Sequence, residues 1–252
     1  MKLLAIERYH VRSGVLATLR VLDAAVLAEH APAVVQMLSA DMWVVRYRAL
    51  QVLGRLDSAV LEQCAPAVVR MLQDDEVAVR VTVLQTLGML DDAGLSEHAP
   101  AIVKMIGDDA NDVRVEAVTT LSLLDYDAFQ EHVPAVVDFL HAEEEGVLTA
   151  ALTLLEQLDA DSLEALLAER MPAVVQLFEK DNTWKVRFMA LQLLGKLADG
   201  ALFQHYCPVV LGQIYEEEGA DSELGHMVTA IIEEAERNGG EEGTMSFGSL
   251  AL

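Results

Sequence analysis

Apolar residues recur along the chain at the spacing of one helix face. From Val45 they continue at Ala49, Val52, Leu53 and Leu56, offsets of 4, 7, 8 and 11 residues. An α-helix brings residues at these offsets to one side, so the pattern predicts an amphipathic helix. We call it helix B and expect it over about residues 43–56 and at the equivalent positions elsewhere.

The pattern returns at a nearly constant period that the prolines mark. All six prolines occupy one repeat position, with spacings of 34, 34, 34, 38 and 36 residues: Pro32, Pro66, Pro100, Pro134, Pro172 and Pro208. Leu-Asp and Val-Arg pairs recur in step with them. A fixed period of this length predicts a repeat architecture in which each unit is one helix pair.

The partner helix, helix A, is expected to contain the proline. The repeated aspartates Asp57, Asp91 and Asp125 stand where its N-cap is wanted. Proline is expected either to kink helix A or to start a second short helix in its first turn. Aspartates at 74–75 and 108–109 are expected to turn the chain and cap helix B. Four extra residues after Asp159, about one turn, are expected to lengthen helix A there.

These columns together resemble HEAT repeats of the HEAT/armadillo group. The resemblance covers about residues 5–235, whereas the Trp/Gly/Tyr columns of tetratricopeptide repeats are absent. It implies an all-α, right-handed α-α superhelix of about six and a half helix-pair repeats. We expect residues 1–237 to form this solenoid. The Gly/Ser-rich, acidic-flanked tail 238–252 is expected to be disordered unless bound.

The resemblance also implies a ladder of hydrogen bonds between turn aspartates and arginines of stacked repeats. The matching positions are Asp41 and Arg46, Asp75 and Arg80, Asp109 and Arg114, and Asp181 and Arg187. The repeat after Pro134 departs, since Glu143 stands for the aspartate and Leu148 for the arginine. We therefore predict that this joint is the least stable and that residues near 141–170 open first.

In HEAT proteins helix B lines the concave side, so its outward positions are the binding residues that the resemblance implies. They are Arg48, Gln51, Arg55, Thr82, Gln85, Met89, Asp112, Glu116, Thr119, Lys185, Met189, Gln192 and Lys196. Trp43 and Trp184 share one repeat position and are possible anchors, because half-exposed tryptophan is common at interfaces. Two alternatives stay open: a merely solvated face, and tryptophans that pack over the turn.

Charge restricts the class of partner. The chain carries 17 Lys+Arg against 41 Asp+Glu, a net charge of −24. Such a field repels nucleic acid, which argues against a HEAT-type glycosylase. It favours a protein partner with a basic or mixed apolar-basic segment. The outward face has Asp112 and Glu116 in its middle and cations at both ends, so a matching ligand is basic centrally and acidic or neutral at its ends.

Catalytic and metal-binding signals are weak. Glu-His pairs recur at 29–30, 97–98 and 131–132, but their order is the reverse of that in HEAT-type di-iron hydroxylases. Neighbouring helices lie ~8–10 Å apart, whereas metal bonds need ~2 Å. No nucleophile motif or phosphate-binding loop is present. We predict a protein-binding scaffold or adaptor with no metal, no cofactor and no enzyme activity. The alternative is a HEAT-type enzyme or accessory, similar to di-iron hydroxylases or chromophore lyases.

Cysteine usage and hydropathy bear on location. Cys64 and Cys207 are far apart and form no disulfide framework, which favours a reducing compartment. No apolar run reaches the ~18 residues of a membrane span. We predict a cytoplasmic protein without direct membrane insertion. The basic first 22 residues leave an organelle transit peptide as the open alternative.

Overall fold

A computed structural model describes residues 9–168, 170–179, 182–197, 201–218 and 222–238. Throughout these ranges the regular structure is helical and contains no strand. The α-helices are, in chain order, α1 (Tyr9–Leu19), α2 (Ala24–Ala28), α3 (Ala31–Val35), α4 (Trp43–Leu53), α5 (Ser58–Val69), α6 (Val77–Leu87), α7 (Asp92–Val103), α8 (Asn111–Leu121), α9 (Tyr126–Gln130), α10 (Val133–Val137), α11 (Glu145–Leu155), α12 (Ala160–Leu167), α13 (Met171–Gln176), α14 (Trp184–Lys196), α15 (Ala201–Glu218) and α16 (Glu223–Asn238).

Helices of the B type alternate with helices of the A type, as the repeat predicts. The B helices are α1, α4, α6, α8, α11, α14 and α16, and each pair of A and B helices spans one proline period. The half repeat is α1, which has no preceding A helix among the described residues. Six pairs follow it, so the predicted count of about six and a half repeats is confirmed.

Proline acts on helix A in both of the expected ways. Pro66, Pro100 and Pro208 lie inside the continuous helices α5, α7 and α15. The other three prolines stand at the start of the separate short helices α3, α10 and α13. A proline in the first turn of a helix loses no hydrogen bond, because that N–H has no partner within the helix.

The chain divides into two compact units, residues 1–132 and 133–252, which we call unit 1 and unit 2. In unit 1 the B helices α1, α4, α6 and α8 pack in sequence, beside the packed A helices α3, α5 and α7. In unit 2 the B helices α11, α14 and α16 pack in the same manner. The division falls between α9 and α10, within one A segment of the repeat.

The apolar stripe of helix B forms the core. Val45, Ala49, Val52, Leu53 and Leu56 are all buried, as predicted. The helix itself ends at Leu53, three residues before the predicted end, and Gly54 is its C-cap. Burial of such aliphatic stripes contributes about 25 cal/mol per Å² of apolar surface and stabilises each unit.

Two details of capping differ from the sequence-based expectation. Asp57, Asp91 and Asp125 all occupy N-cap positions, but only the carboxylates of Asp91 and Asp125 accept a backbone hydrogen bond there. The turn aspartates do not cap helix B, because Glu76 and Ala110 are the N-cap residues. The turn carboxylates instead accept from the backbone N–H two residues further on, which closes a small Asx turn.

The longer spacing after Asp159 has the predicted effect. Helix α12 is eight residues long, against five in each of its equivalents α2 and α9. One added helical turn keeps the following residues on the same side of the helix. Apart from Asn238 at the end of α16, the predicted tail 238–252 lies outside the described residues.

Candidate binding face

An open groove of about 620 Å³ crosses the B helices of unit 1. Its floor is formed by α4 and α6 and includes Leu50, Gly54, Thr82 and Thr86. Its rim consists of Arg20, Val21, Gln51, Arg55, Gln85 and Met89. We call this feature the B-face groove. Five of the predicted binding residues line it: Gln51, Arg55, Thr82, Gln85 and Met89.

A smaller pocket of about 260 Å³ shares part of this lining. It lies between α1 and α4 and is lined by Leu16, Ala17, Arg20, Tyr47, Arg48 and Gln51. Arg20 and Gln51 line both cavities. The two adjoining cavities together therefore have three arginines in their linings, Arg20, Arg48 and Arg55.

The floor of the groove is held by hydroxyl groups. Thr82 Oγ1 donates to the carbonyl of Ala78 at 2.7 Å, and Thr86 Oγ1 donates to the carbonyl of Thr82 at 2.7 Å. Thr82 is buried, so the structure places it beneath the face rather than on its outward side. The absence of a side chain at Gly54 keeps this part open, since a Cβ there would lie 3.7 Å from Thr86 Oγ1.

Polar contacts connect the groove with the next B helix. Gln85 Nε2 donates to Glu116 Oε2 at 3.1 Å, which joins α6 to α8 on this face. Asp112 and Thr119 on α8 are exposed, and Glu116 is half-buried. Within unit 1 the predicted face is thus one surface, with arginines at α1 and α4 and carboxylates at α8.

An exposed apolar column runs along the ends of the same helices. Val21, Met89 and Leu123 share a repeat position with Arg55 and are 76%, 58% and 54% exposed. Leu123 reaches α6, because a Cβ added at Gly88 would lie 3.1 Å from Leu123 Cδ1. Arg55 separates Val21 from Met89 in this column, whereas Met89 and Leu123 occupy consecutive repeats, and exposed apolar patches are typical of contact sites.

Sequence reasoning missed the contribution of α1. Ala17 on α1, and Arg20 and Val21 directly after it, line the two cavities but were not among the predicted residues, and neither was Tyr47 on α4. Ala17 and Val21 lie 34 residues before Gln51 and Arg55. Extending the register of the outward positions by one repeat towards the N-terminus would have found both.

The predicted face residues of unit 2 lie on α14. Lys185, Gln192 and Lys196 are exposed there, and Met189 is half-buried. Lys196 Nζ donates to the carbonyl oxygens of Glu156 and Leu158, so its ammonium is already engaged within the unit. The structure therefore leaves Lys185 and Gln192 as the exposed polar groups of this helix face.

The arginine ladder is present with a different carboxylate. Arg46 Nε and Nη2 donate to the Asp74 carboxylate at 2.5 and 2.7 Å, and Arg80 pairs in the same way with Asp108 at 2.8 Å. The partner is thus the first aspartate of the next repeat's turn. Asp41 and Asp75, which the resemblance suggested, accept from Arg46 and Arg80 only through backbone carbonyls.

Two further ladder positions complete the comparison. Asp109 Oδ1 accepts from Arg80 Nη2 at 2.9 Å, and Arg114 Nη1 donates to the carbonyls of Asp108 and Asp109. Arg187 lies on α14 and is half-buried. Asp181 lies outside the described residues.

Hydrogen bonds in the ladder shift the acidity of its members. The bonds to Asp74 and Asp108 raise the pKa of Arg46 and Arg80, although burial opposes this. Burial also acts to raise the pKa of Asp108, but the hydrogen bonds from Arg80 and from the Ala110 N–H outweigh it and hold that pKa below its usual value. The Arg80–Asp108 pair is therefore charged at neutral pH.

Both tryptophans combine packing with exposure. Trp43 begins α4 and meets Tyr47 edge to face, with ring centroids 6.2 Å apart, while Trp184 begins α14 and stacks on Phe188 at 4.9 Å. They remain 37% and 43% exposed. Each can therefore offer a rigid aromatic surface to a partner.

The Glu-His positions do not converge. Across the described ranges, no group of three His, Cys, Asp or Glu side chains is arranged to hold a metal ion. Cys64, which replaces histidine in this column, is a buried free thiol, as is Cys207. Burial raises the pKa of Cys64 and raises that of Cys207 to about 12. In the same ranges, no helix is both long and apolar enough to cross a membrane.

Comparison with known proteins supports the repeat assignment. A family model described as HEAT repeats matches residues 31–122, and one described as HEAT repeat matches residues 171–201. No curated protein matches the chain in sequence.

Several solved structures are similar in fold. One engineered protein has a TM-score of 0.54 at 16% identity and covers 83% of this chain and 97% of its own. A second engineered protein has a TM-score of 0.56 at 17% identity and covers 93% of this chain and 67% of its own. A designed armadillo repeat protein in complex with the peptide (KR)4 has a TM-score of 0.52 at 18% identity and covers 80% of this chain and 98% of its own. At these identities the likeness concerns fold alone. The repeat columns, the helix pairs and these matches make the chain a HEAT-like repeat protein, of the all-α superhelical repeat class.

Proposed function

We propose that the chain is a protein-binding scaffold or adaptor that holds an extended segment of a partner along the B face of unit 1. The observation that carries this proposal is the B-face groove, an open depression lined by five residues at the outward repeat positions. Repeat proteins generally bind along such extended surfaces. A designed armadillo repeat protein of similar fold holds the peptide (KR)4, which is consistent with this mode.

The partner segment that we propose is basic or mixed apolar-basic. The net charge of −24 steers basic segments towards the surface, and Asp112 and Glu116 offer carboxylates on α8. The exposed Met89 and Leu123 supply the apolar contact. A binding role rather than a catalytic one, in the cytoplasm, completes the proposal.

The size of the face sets the length of the segment. Helices α4, α6 and α8 pack consecutively, and neighbouring helices lie ~8–10 Å apart. The span from α4 to α8 is therefore about 16–20 Å, which an extended chain covers with about five or six residues at ~3.3 Å each. An eight-residue peptide such as (KR)4 is long enough to test the face.

Charge reversal of the double variant Asp112→Lys and Glu116→Lys tests the proposal. Surface ion pairs contribute ~0.2–1 kcal/mol each, and reversal adds repulsion, so the affinity for (KR)4 should fall several-fold or more. The control reverses Glu62 and Glu97, which are exposed on the A helices α5 and α7. Fluorescence anisotropy at low and physiological ionic strength measures both, and binding of the unaltered chain should weaken with salt.

Two results would contradict the proposal. Equal losses in the face variant and the control would mean that the peptide responds only to overall charge. Affinity that does not change with ionic strength would remove electrostatic recognition and leave an apolar contact. The acidic tail residues Glu241 and Glu242 lie outside the described residues, and their reversal should cost less affinity than that of Asp112 and Glu116.

A further inference from the structure

The B-face groove carries the opposite charge to the rest of the molecule. Arg20 and Arg55 line it, and Arg48 joins Arg20 in the adjoining pocket, whereas neither lining contains a carboxylate. The whole chain has more than two acidic residues for each basic one, 41 against 17. Three arginines beside these two adjoining cavities are therefore a local reversal of the field.

These arginines are available to a ligand to different degrees. Arg20 and Arg55 are exposed, and in the part of the chain that the structure describes neither has an ion-pair partner. Arg48 is half-buried and its Nη1 donates to the carbonyl of Ser13 at 3.3 Å, which leaves its other donors for a ligand. Arg46 and Arg80 of the ladder, by contrast, are already bound to carboxylates.

We infer that the B-face groove receives an acidic, apolar peptide segment, whose carboxylates pair with Arg20, Arg48 and Arg55 while an adjacent apolar side chain contacts Val21 or Met89. The inference rests on the proposed function and specifies the part of the partner that lies over α1 and α4. Charge complementarity identifies the occupant. Guanidinium groups bind carboxylates through paired hydrogen bonds. Gln51 and Gln85 on the rim each use one amide N–H within the protein, towards Tyr47 Oη and Glu116 Oε2, and each has a second N–H for a ligand.

The inference makes the proposed partner segment bipolar. Its acidic end lies at α1 and α4, and its basic part lies at Asp112 and Glu116 on α8. The bond from Gln85 to Glu116 keeps α8 next to the groove, so one extended segment reaches both. A partner with only one sign of charge uses half of this face.

Three fluorescent peptides test the inference by anisotropy: (Glu-Leu)4, its neutral counterpart (Gln-Leu)4, and (KR)4. The expected result is that (Glu-Leu)4 binds and that the double variant Arg20→Glu and Arg55→Glu weakens it by about tenfold or more. The same variant should bind (KR)4 at least as well as the unaltered chain does. The matched control is Arg70→Glu, because Arg70 is exposed on the 3-10 turn after the A helix α5. Circular dichroism and melting temperature check that each variant is folded.

Each other outcome has a defined meaning. If (KR)4 binds and (Glu-Leu)4 does not, the inference fails while the proposed function stands. If (Gln-Leu)4 binds as tightly as (Glu-Leu)4, or if Arg70→Glu costs as much as the groove variant, carboxylate recognition in the groove is wrong. If neither charged peptide binds, the proposed function fails as well. Ultracentrifugation gives the oligomeric state. If the unaltered chain is an oligomer and the groove variant is a monomer, the occupant is a second copy, and the inference of a separate partner is overturned.

Discussion

Arginine side chains do two kinds of work in this protein, and their surroundings separate them. Arg46 and Arg80 are held by carboxylates of the following repeat and by backbone carbonyls of their own turn. Arg20 and Arg55 lie at the surface beside an open groove. Residue type alone therefore does not reveal function, whereas the position in the repeat does, because the ladder column faces the next turn and the outward column faces solvent.

The ladder predicts a sharp difference between two adjacent aspartates. Replacing Asp74 by Ala leaves the largely buried Arg46 guanidinium without its carboxylate, so we expect the free energy of unfolding to fall by about 2–3 kcal/mol. Replacing the exposed Asp75 by Ala should change it by no more than about 0.5 kcal/mol. Urea unfolding followed by circular dichroism measures both. If the two substitutions change the free energy of unfolding equally little, the carboxylate of Asp74 adds nothing to stability.

Acid should weaken the same interaction at Asp108. Its pKa in the folded chain lies below that of the unfolded chain, about 3.9, so its carboxylate contributes stability that is present above that value and is lost as the pH falls through the folded pKa. The difference in unfolding free energy between the unaltered chain and Asp108→Asn should be constant above about pH 5 and shrink below about pH 4. For Asp75→Asn the difference should stay small throughout. If the difference in unfolding free energy between the unaltered chain and Asp108→Asn does not change with pH, the assigned pairing is contradicted.

The sequence was a sound guide to the elements and a poorer one to their ends. The helix pairs follow from the 34-residue period because apolar stripes must be buried on one side. The interruption of helix A was not predictable, since the same proline lies within α5 and α7 but starts α3 and α10. The ladder aspartates were only partly found for a related reason: each turn offers two neighbouring aspartates, and packing places Asp74 and Asp108 against the arginine of the previous repeat, while the predicted Asp109 adds a second contact to Arg80.

The fifth B helix, α11, is where two effects on stability compete. Ala142 and Leu148 occupy the columns of the ladder aspartate and arginine, so these two positions contribute no charged side chain to the ladder. Leu148 is buried instead, together with Val147, Ala151 and Leu152. Replacing a buried ion pair by apolar packing is often neutral.

Hydrogen exchange decides between these effects. Our prediction is that amides near 141–170, in α11 and α12, exchange faster under native conditions than those in α6 and α8, because repeat arrays open first at their poorest interfaces. Mass spectrometry of proteolytic fragments gives the protection of each helix. Uniform protection along the described helices would mean that the apolar contacts of Leu148 fully offset the absence of charged side chains at positions 142 and 148.

At the scale of the whole molecule, the net charge says less about the partner than the local arrangement of charged side chains does. The net charge of −24 suggested a basic partner, and the carboxylates on α8 agree with that expectation. The arginines of the groove could not be read from composition, because Arg20 and Arg55 lie just after the ends of α1 and α4 and meet only when those helices pack. A global field steers an approaching partner, whereas the groups that line a groove determine what it holds.

Photo-crosslinking tests the central claim most directly, namely that partners bind on the B face of unit 1. A photoreactive amino acid replaces either Gln85, on the rim of the groove, or Gln63, which is also exposed and lies on the A helix α5. The full chain is then irradiated in extract of its source cell, and crosslinked peptides are sequenced by mass spectrometry. The account predicts that position 85 captures a defined segment of a partner protein, that position 63 does not, and that excess (KR)4 suppresses the crosslink. Equal capture from both positions, or capture only from position 63, would contradict it.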